Sequence, residues 1–176
     1  MSKQSILVGT VIDGTPKLNR TVHNEKFYTI DVEFKGTTIP VLISEYSVKE
    51  EYSDTIQVKG CVMSDFKKGE LPKFYFYANE IINVDADTPV TNQVNFCGTV
   101  TKNRGFNTNT RCRDILALTI SDTSPVGGVS VLYICARDAF AREFKDMDIP
   151  YNIEGTGYLK PYKDVYEILV TDIKLI

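Results

Sequence analysis

Leu7-Val8-Gly9-Thr10-Val11 returns about ninety residues later as Phe96-Cys97-Gly98-Thr99-Val100. Val58-Lys59-Gly60 returns as Ile153-Glu154-Gly155, and Tyr77-Ala78-Asn79-Glu80-Ile81 as Leu169-Val170-Thr171-Asp172-Ile173. Identity is low, but side-chain size and polarity recur in the same order. One block used twice means two small units of one type. They are expected over 1–86 and 90–176, with the polar Asp85-Ala86-Asp87-Thr88-Pro89 as linker. Each half is near the size that can hold its own core.

The pattern within each half is that of short strands. In the first half they are predicted at 6–12, 27–34, 38–43, 56–63 and 74–84. Gly9 inside the first strand marks a bulge or sharp bend, and Gly98 sits at the same point of the second half. A polar loop is predicted over 13–26, rich in turn residues. From 27 to 34 the alternation is clean, with Phe27, Thr29, Asp31 and Glu33 on one face and Tyr28, Ile30, Val32 and Phe34 on the other. Gly36 makes the next turn, and a short charged stretch covers 44–53. The second half repeats the order at 93–100, 114–121, 128–135, 151–159 and 165–175. After its third strand, Phe140 and Phe144 are four apart and share one helical face. Five strands with a helix after the third describe an OB-fold, so the chain is expected to be all-β with one short helix, as two tandem OB-fold Greek-key barrels.

Composition narrows the function. No apolar run approaches a membrane span. The opening Met1-Ser2-Lys3-Gln4-Ser5 leads straight toward a strand and leaves no room for a signal peptide, so a cytoplasmic protein is expected. Cys61, Cys97, Cys112 and Cys135 show no Cys-x-x-Cys spacing, and the one histidine, His23, has no cysteine beside it. That pattern offers no zinc site, and no metal or cofactor is expected. Cys61, Cys97 and Cys135 read as small buried hydrophobes. One histidine, scattered cysteines and no phosphate-binding glycine loop give catalysis nothing to build on, so the chain is not read as an enzyme. Asp13-Gly14 and Glu50-Glu51 read as turn and surface charge. The net charge of −3 is awkward for a nucleic-acid binder, but net charge does not say where the charges lie. Lys102, Arg104, Arg111 and Arg113 fall within twelve residues that contain no acid.

Several ordered pieces resemble the bacterial and phage single-stranded DNA-binding proteins. Gln93-Val94-Asn95-Phe96-Cys97-Gly98-Thr99-Val100-Thr101 is similar to the family's opening strand, and Ile115-Leu116-Ala117-Leu118-Thr119-Ile120 to its second. Val131-Leu132-Tyr133-Ile134-Cys135-Ala136-Arg137 followed by Phe140-Ala141-Arg142-Glu143-Phe144 resembles the third strand and helix. Ile153-Glu154-Gly155-Thr156-Gly157-Tyr158-Leu159 resembles the fourth strand, and Tyr77-Ala78-Asn79-Glu80-Ile81-Ile82 the closing one. Two departures stand out. The chain has no Trp, the residue with which the family often stacks on bases, and it stops at Ile176 without an acidic tail. Asp148-Ile149-Pro150-Tyr151 looks like the tip of such a tail but is internal, and reads as a strand entrance.

Holding single-stranded DNA takes cations along the phosphates and flat side chains against the bases. Stacking contributes about 1–3 kcal/mol per base, so a few rings outweigh a mildly unfavourable net charge. The stretch 102–113 interleaves Lys102, Arg104, Arg111 and Arg113 with Phe106 and several amides; a merely solvated hairpin is the plain alternative. The matching first-half stretch offers Lys17, Arg20 and Lys26, with His23 as a surface residue. Lys160, Tyr162 and Lys163 lie where the family carries a stacking ring flanked by charge, and Phe66, Lys67 and Lys68 hold the equivalent place in the first half. In the run Phe74-Tyr75-Phe76-Tyr77 neighbours face opposite ways. Tyr75 is expected to lie outward, with Tyr28 as a neighbour, while Phe74, Phe76, Phe96, Phe140 and Phe144 are expected in core or interface. Tyr133 and Tyr158 fit either role.

The expected function is therefore sequence-nonspecific binding and protection of single-stranded DNA in phage or mobile-element replication, recombination or repair. The expected partners are single-stranded DNA, a second copy of the chain giving four barrels, and replication or recombination proteins; no membrane is involved. Two alternatives stay open: an OB-fold protein-interaction module that has lost nucleic-acid binding, and an RNA-binding protein.

Overall fold

A computed structural model describes residues 4–176. The elements are β1 (Ser5–Val22), β2 (Glu25–Phe34), β3 (Thr37–Ser44), β4 (Thr55–Asp65), β5 (Lys73–Asn83), β6 (Thr91–Thr108), β7 (Asp114–Thr123), β8 (Val129–Arg137), α1 (Asp138–Phe144), β9 (Tyr151–Tyr162) and β10 (Val165–Leu175). Their order is β2-β3-β5-β4-β1-β6-β7-β8-β10-β9, with β1 also pairing β2 and β6 also pairing β9. Each extra pairing closes a ring of five strands. Two OB barrels result, as the repeat implies.

Closure requires the first strand of each barrel to serve two partners. β1 pairs β4 through Ser5 to Thr10 and then takes up β2 from Thr10 onward. Gly9 stands at that handover, where a Cβ would lie 2.5 Å from the Glu33 carbonyl oxygen. Gly98 repeats the arrangement in β6, with 2.6 Å to the Ser121 oxygen. The tightest point is Gly60, where a Cβ would sit 1.7 Å from the Tyr77 oxygen. The recurrent glycines are places where one strand crosses another too closely for any side chain.

The barrels are joined by their first strands. β1 pairs β6 antiparallel at Ile6–Gln93, Leu7–Asn92 and Val8–Thr91. Side chains fasten β6 on both sides, to β9 of its own barrel through Asn92 and to β1 through Ser5. The Asn92 amide donates to the Leu159 carbonyl at 2.8 Å and accepts from the Leu159 N–H at 3.0 Å, and the Ser5 hydroxyl accepts from the Asn95 N–H at 2.9 Å. One continuous apolar core runs through both barrels, from Leu7, Val32 and Phe76 to Phe96, Leu118 and Ile168. Phe74 joins them, with ring centroids 6.0 Å from Tyr133 and 6.1 Å from Tyr166. Phe140 and Phe144 of α1 pack on the same core, as their spacing predicts.

The segments 13–26 and 102–113 differ from the sequence expectation. They are mostly strand, not loop. β1 runs on to Val22 and turns at His23-Asn24, whose φ values of 49° and 66° suit a two-residue hairpin turn. β6 likewise runs to Thr108. Every residue of 13–26 and 102–113 is exposed or half-buried, so these stretches need no apolar alternation. Their backbone groups are satisfied by each other, and register shifts at Val11/Asp13, Asp13/Lys17 and Leu18/Arg20 twist the first arm.

The barrels differ in one hairpin. β2 and β3 are joined by Lys35-Gly36 alone, whereas β7 and β8 are joined by 124–128. That longer loop is self-bonded, with the Ser124 N–H donating to the Gly128 carbonyl at 3.0 Å and the Gly127 N–H to the Ser124 carbonyl at 3.1 Å. Gly127 and Gly128 take φ values of 96° and 79°, which glycine adopts without strain.

Gly60→Ala is expected to lower unfolding free energy by about 1–3 kcal/mol, seen as a lower urea midpoint. Gly14→Ala, whose nearest neighbours would be 3.7 Å away, is expected to stay within about 0.5 kcal/mol of the parent.

Candidate nucleic-acid interface

The second barrel carries an open groove of about 540 Å³ on the outer face of β7, β8 and β10, between the β6–β7 arm and the β9–β10 hairpin. Arg104, Phe106, Arg111 and Arg113 line it from one side, Lys160 and Tyr162 from the other, and Arg137 at the end of β8. The structure thus brings together two stretches that the sequence offered separately. The rings stand at the edges: Phe106 is 37 % exposed and Tyr162 45 %. Lys145 lies 4.9 Å from the Phe106 centroid and Lys163 5.3 Å from that of Tyr162.

Local hydrogen bonds preform this edge. The Asn109 side chain accepts from the N–H groups of both Arg111 and Arg113 at 3.0 Å, closing the arm's tip. Asp114 accepts from Thr108 at 2.9 Å and from Arg142 of α1 at 2.6 Å, and its carboxyl is held below the usual range chiefly by the Arg142 bond. Asn103 donates to the Lys145 carbonyl at 3.1 Å. Several amides of this stretch therefore build the arm.

Two charged groups lie deeper in the groove. The Arg104 guanidinium lies over the Tyr133 ring, 4.1 Å from its centroid, and donates to the Leu118 carbonyl at 3.2 Å. Burial pushes its pKa down, and Tyr133 and Glu167 oppose that shift. Arg104 is a wall of the groove more than a mobile cation. Glu167 on β10 is only 7 % exposed. Burial raises its pKa against the opposing pull of Arg104 and Lys160. Cys135 lies beside it on the floor, its thiol pushed up to about 11, mainly by burial. Cys61 and Cys97 are half-buried, less enclosed than the sequence predicts, and Cys112 is exposed in the tip.

The corresponding face of the first barrel is closed. Strand pairing aligns the two faces: Leu42 lies opposite Tyr77 as Cys135 lies opposite Leu169, so Tyr75 occupies the position of Glu167. Tyr75 points away from the barrel core, as alternation requires, but is 3 % exposed and so is not the outward platform expected. It packs with Phe27, Leu42, Met63 and Val126, and Tyr28 is not in that cluster. Val126 comes from the β7–β8 loop of the other barrel. Ser64 fastens this loop's stem, its N–H donating to the Ser130 hydroxyl at 3.0 Å and its hydroxyl accepting from the Val131 N–H at 3.0 Å.

The first-half candidates are correspondingly scattered. Arg20 is tied to Asp65 by two bonds of 2.6 Å and lies 5.0 Å from the Tyr75 centroid. Phe66, 52 % exposed, and Lys67 border a shallow recess with Arg20 and Tyr75, but Ser124, Gly127, Gly128 and Val129 form its other wall. Lys68 is exposed outside it. Lys17 is exposed and 3.4 Å from Asp13. Lys26 is exposed near the arm's turn, and Tyr28 is half-buried on β2. In the second barrel, Lys102 and Lys163 are exposed but do not line the groove. Arg137 and Glu167 are lining residues that the sequence reading missed. A charge inside the apolar Val165-Tyr166-Glu167-Ile168-Leu169-Val170 was the available signal for Glu167.

Two closed five-stranded barrels joined through their first strands define a tandem OB-fold. No family model matches the chain, and no curated protein matches it in sequence. Among solved structures, the wild-type single-stranded DNA-binding protein from Thermus aquaticus is similar at a TM-score of 0.75 and 12 % identity, over 99 % of this chain and 92 % of that one. A deletion mutant of that protein gives 0.74 at 14 % identity, over 99 % and 94 %. The likeness covers both barrels, so the shared feature is the tandem arrangement itself.

Because the folded-state pKa of Glu167 lies above its ordinary value of 4.5, folding favours the protonated acid, and stability falls as pH rises through that window. Glu167→Gln mimics the neutral acid. It is expected to raise the melting temperature at pH 7, with the gain shrinking as pH falls through the folded-state pKa and gone below the ordinary glutamate value.

Proposed function

We propose that the protein binds single-stranded DNA without catalysis and without reading a fixed sequence, through the open groove of the second barrel. One observation carries this reading: five cations, Arg104, Arg111, Arg113, Arg137 and Lys160, converge with the exposed rings Phe106 and Tyr162 on a groove that holds one carboxylate. Cations at the rim suit phosphates, and rings at the edge suit unstacked bases. The Thermus aquaticus single-stranded DNA-binding protein has the same fold, which supports the reading and a place for this chain in that family.

The units of this proposal are 1–86 and 90–176, one barrel each, with unequal roles. The second barrel binds and the first braces it. A second copy of the chain, giving four barrels, and a role in phage or mobile-element replication, recombination or repair belong to the same proposal. A measured solution mass tests the first of these.

Anisotropy titrations with labelled oligo-dT, against a duplex of equal length, test the binding. Tight single-strand binding that weakens with salt is expected. Phe106→Ala with Tyr162→Ala is expected to cost roughly 2 kcal/mol or more. Arg111→Glu with Arg113→Glu is expected to flatten the log–log salt slope by about 1.4, two phosphate contacts' worth. Phe66→Ala with Lys67→Ala should change less than either. No binding to oligo-dT, or equal loss from the first-barrel pair, contradicts the assignment.

A further inference from the structure

Among the described residues lining the groove, Glu167 is the one acid beside five cations. It is nearly buried, and among the described residues it has no hydrogen-bond donor and no ion-pair partner within the usual range. Such a carboxylate is costly to keep unless a donor reaches it. The nearby cations are directed elsewhere. Arg104 is committed to the Tyr133 ring and the Leu118 carbonyl. Lys160 is paired with Glu167 across the strands but is exposed at the rim. The equivalent position of the first barrel holds Tyr75, which that barrel covers with its neighbour's Val126. In the second barrel no described residue of the first barrel lines the groove at this position, and what lies before it is the open groove.

We propose that Glu167 is a base-selecting residue: its carboxylate accepts hydrogen bonds from the amino groups of bases inserted between Phe106 and Tyr162. This rests on the single-strand reading above. A negative floor excludes phosphate, so the backbone follows Arg111, Arg113, Arg137 and Lys160 at the rim and the bases turn inward. Cytosine offers its N4 amino group to the carboxylate. Thymine offers only N3–H, flanked on both sides by carbonyl oxygens that a carboxylate repels. The groove thus discriminates by base composition at one position, while the stacking and phosphate contacts remain indifferent to sequence.

The test compares oligo-dC and oligo-dT of equal length at pH 8 and fixed salt, for the parent and Glu167→Gln. Glutamine keeps the shape and can pair with either base. The ratio Kd(dT)/Kd(dC) is expected to fall roughly five-fold or more in the variant, the scale of one charge-assisted hydrogen bond. Taking this ratio between proteins cancels the intrinsic difference between the strands. A second measurement needs no variant: the parent should bind oligo-dC roughly five-fold or more tightly than the same strand carrying N4,N4-dimethylcytosine, which lacks the donors. Tight binding with an unchanged ratio and indifference to methylation overturns the role of Glu167 and leaves single-strand binding standing. No binding of the parent to any single strand overturns both.

Discussion

The antiparallel pairing of β1 with β6 sets the relation between the barrels, and the rest of the molecule follows from it. Pairing Ile6 to Val8 with Thr91 to Gln93 sets the two copies of one fold in opposed directions. Each barrel's second hairpin then reaches toward its neighbour. From the first barrel, the Lys35-Gly36 turn ends beside Tyr158 and Pro161, and the Thr38 carbonyl accepts from the Tyr166 hydroxyl. From the second, the longer 124–128 loop carries Val126 onto Tyr75. Three extra residues in one hairpin thus separate a covered apolar face from an open cationic one.

Charge follows the same division. A net charge of −3 coexists with a cationic groove because the acids lie elsewhere or are already paired. Asp65 holds Arg20, Asp114 holds Arg142, and Glu154 holds Lys174 at 2.8 Å. Exposed acids farther than about 8 Å from a rim arginine are largely screened at physiological salt. The arginines at the arm's tip have their backbones fixed by Asn109 while their side chains stay exposed. Such preorganisation keeps the ordering cost of binding low.

What the sequence made legible was local or repeated. Gly9 with Gly98 marked the bend of each first strand and Gly60 with Gly155 recurred in register, and the structure shows at each a crossing that only a missing side chain permits. The helix was legible in Phe140 and Phe144. The arms were not, because a stretch with no buried residue carries no apolar period to distinguish it from a loop. The fate of Tyr75 was not legible either. Alternation gives the side of the sheet on which a ring lies, but its cover, Val126, is 51 positions away in the chain. Arg20 looked like a free cation for the same reason, since Asp65 lies 45 residues further on. Lengths of turns, read against the repeat, were the unused signal: Lys35-Gly36 is short where Ser124-Pro125-Val126-Gly127-Gly128 is long.

Hydrogen–deuterium exchange with and without a saturating single-stranded oligonucleotide separates the two faces in one experiment. Added protection should appear in 104–113, 135–137 and 159–169, and be absent from 63–68 and 74–77, where Val126 already covers Met63 and Tyr75. Equal new protection on both barrels, or protection confined to the first, would show that the face under Val126 opens to the strand and that the inequality of the barrels is not functional.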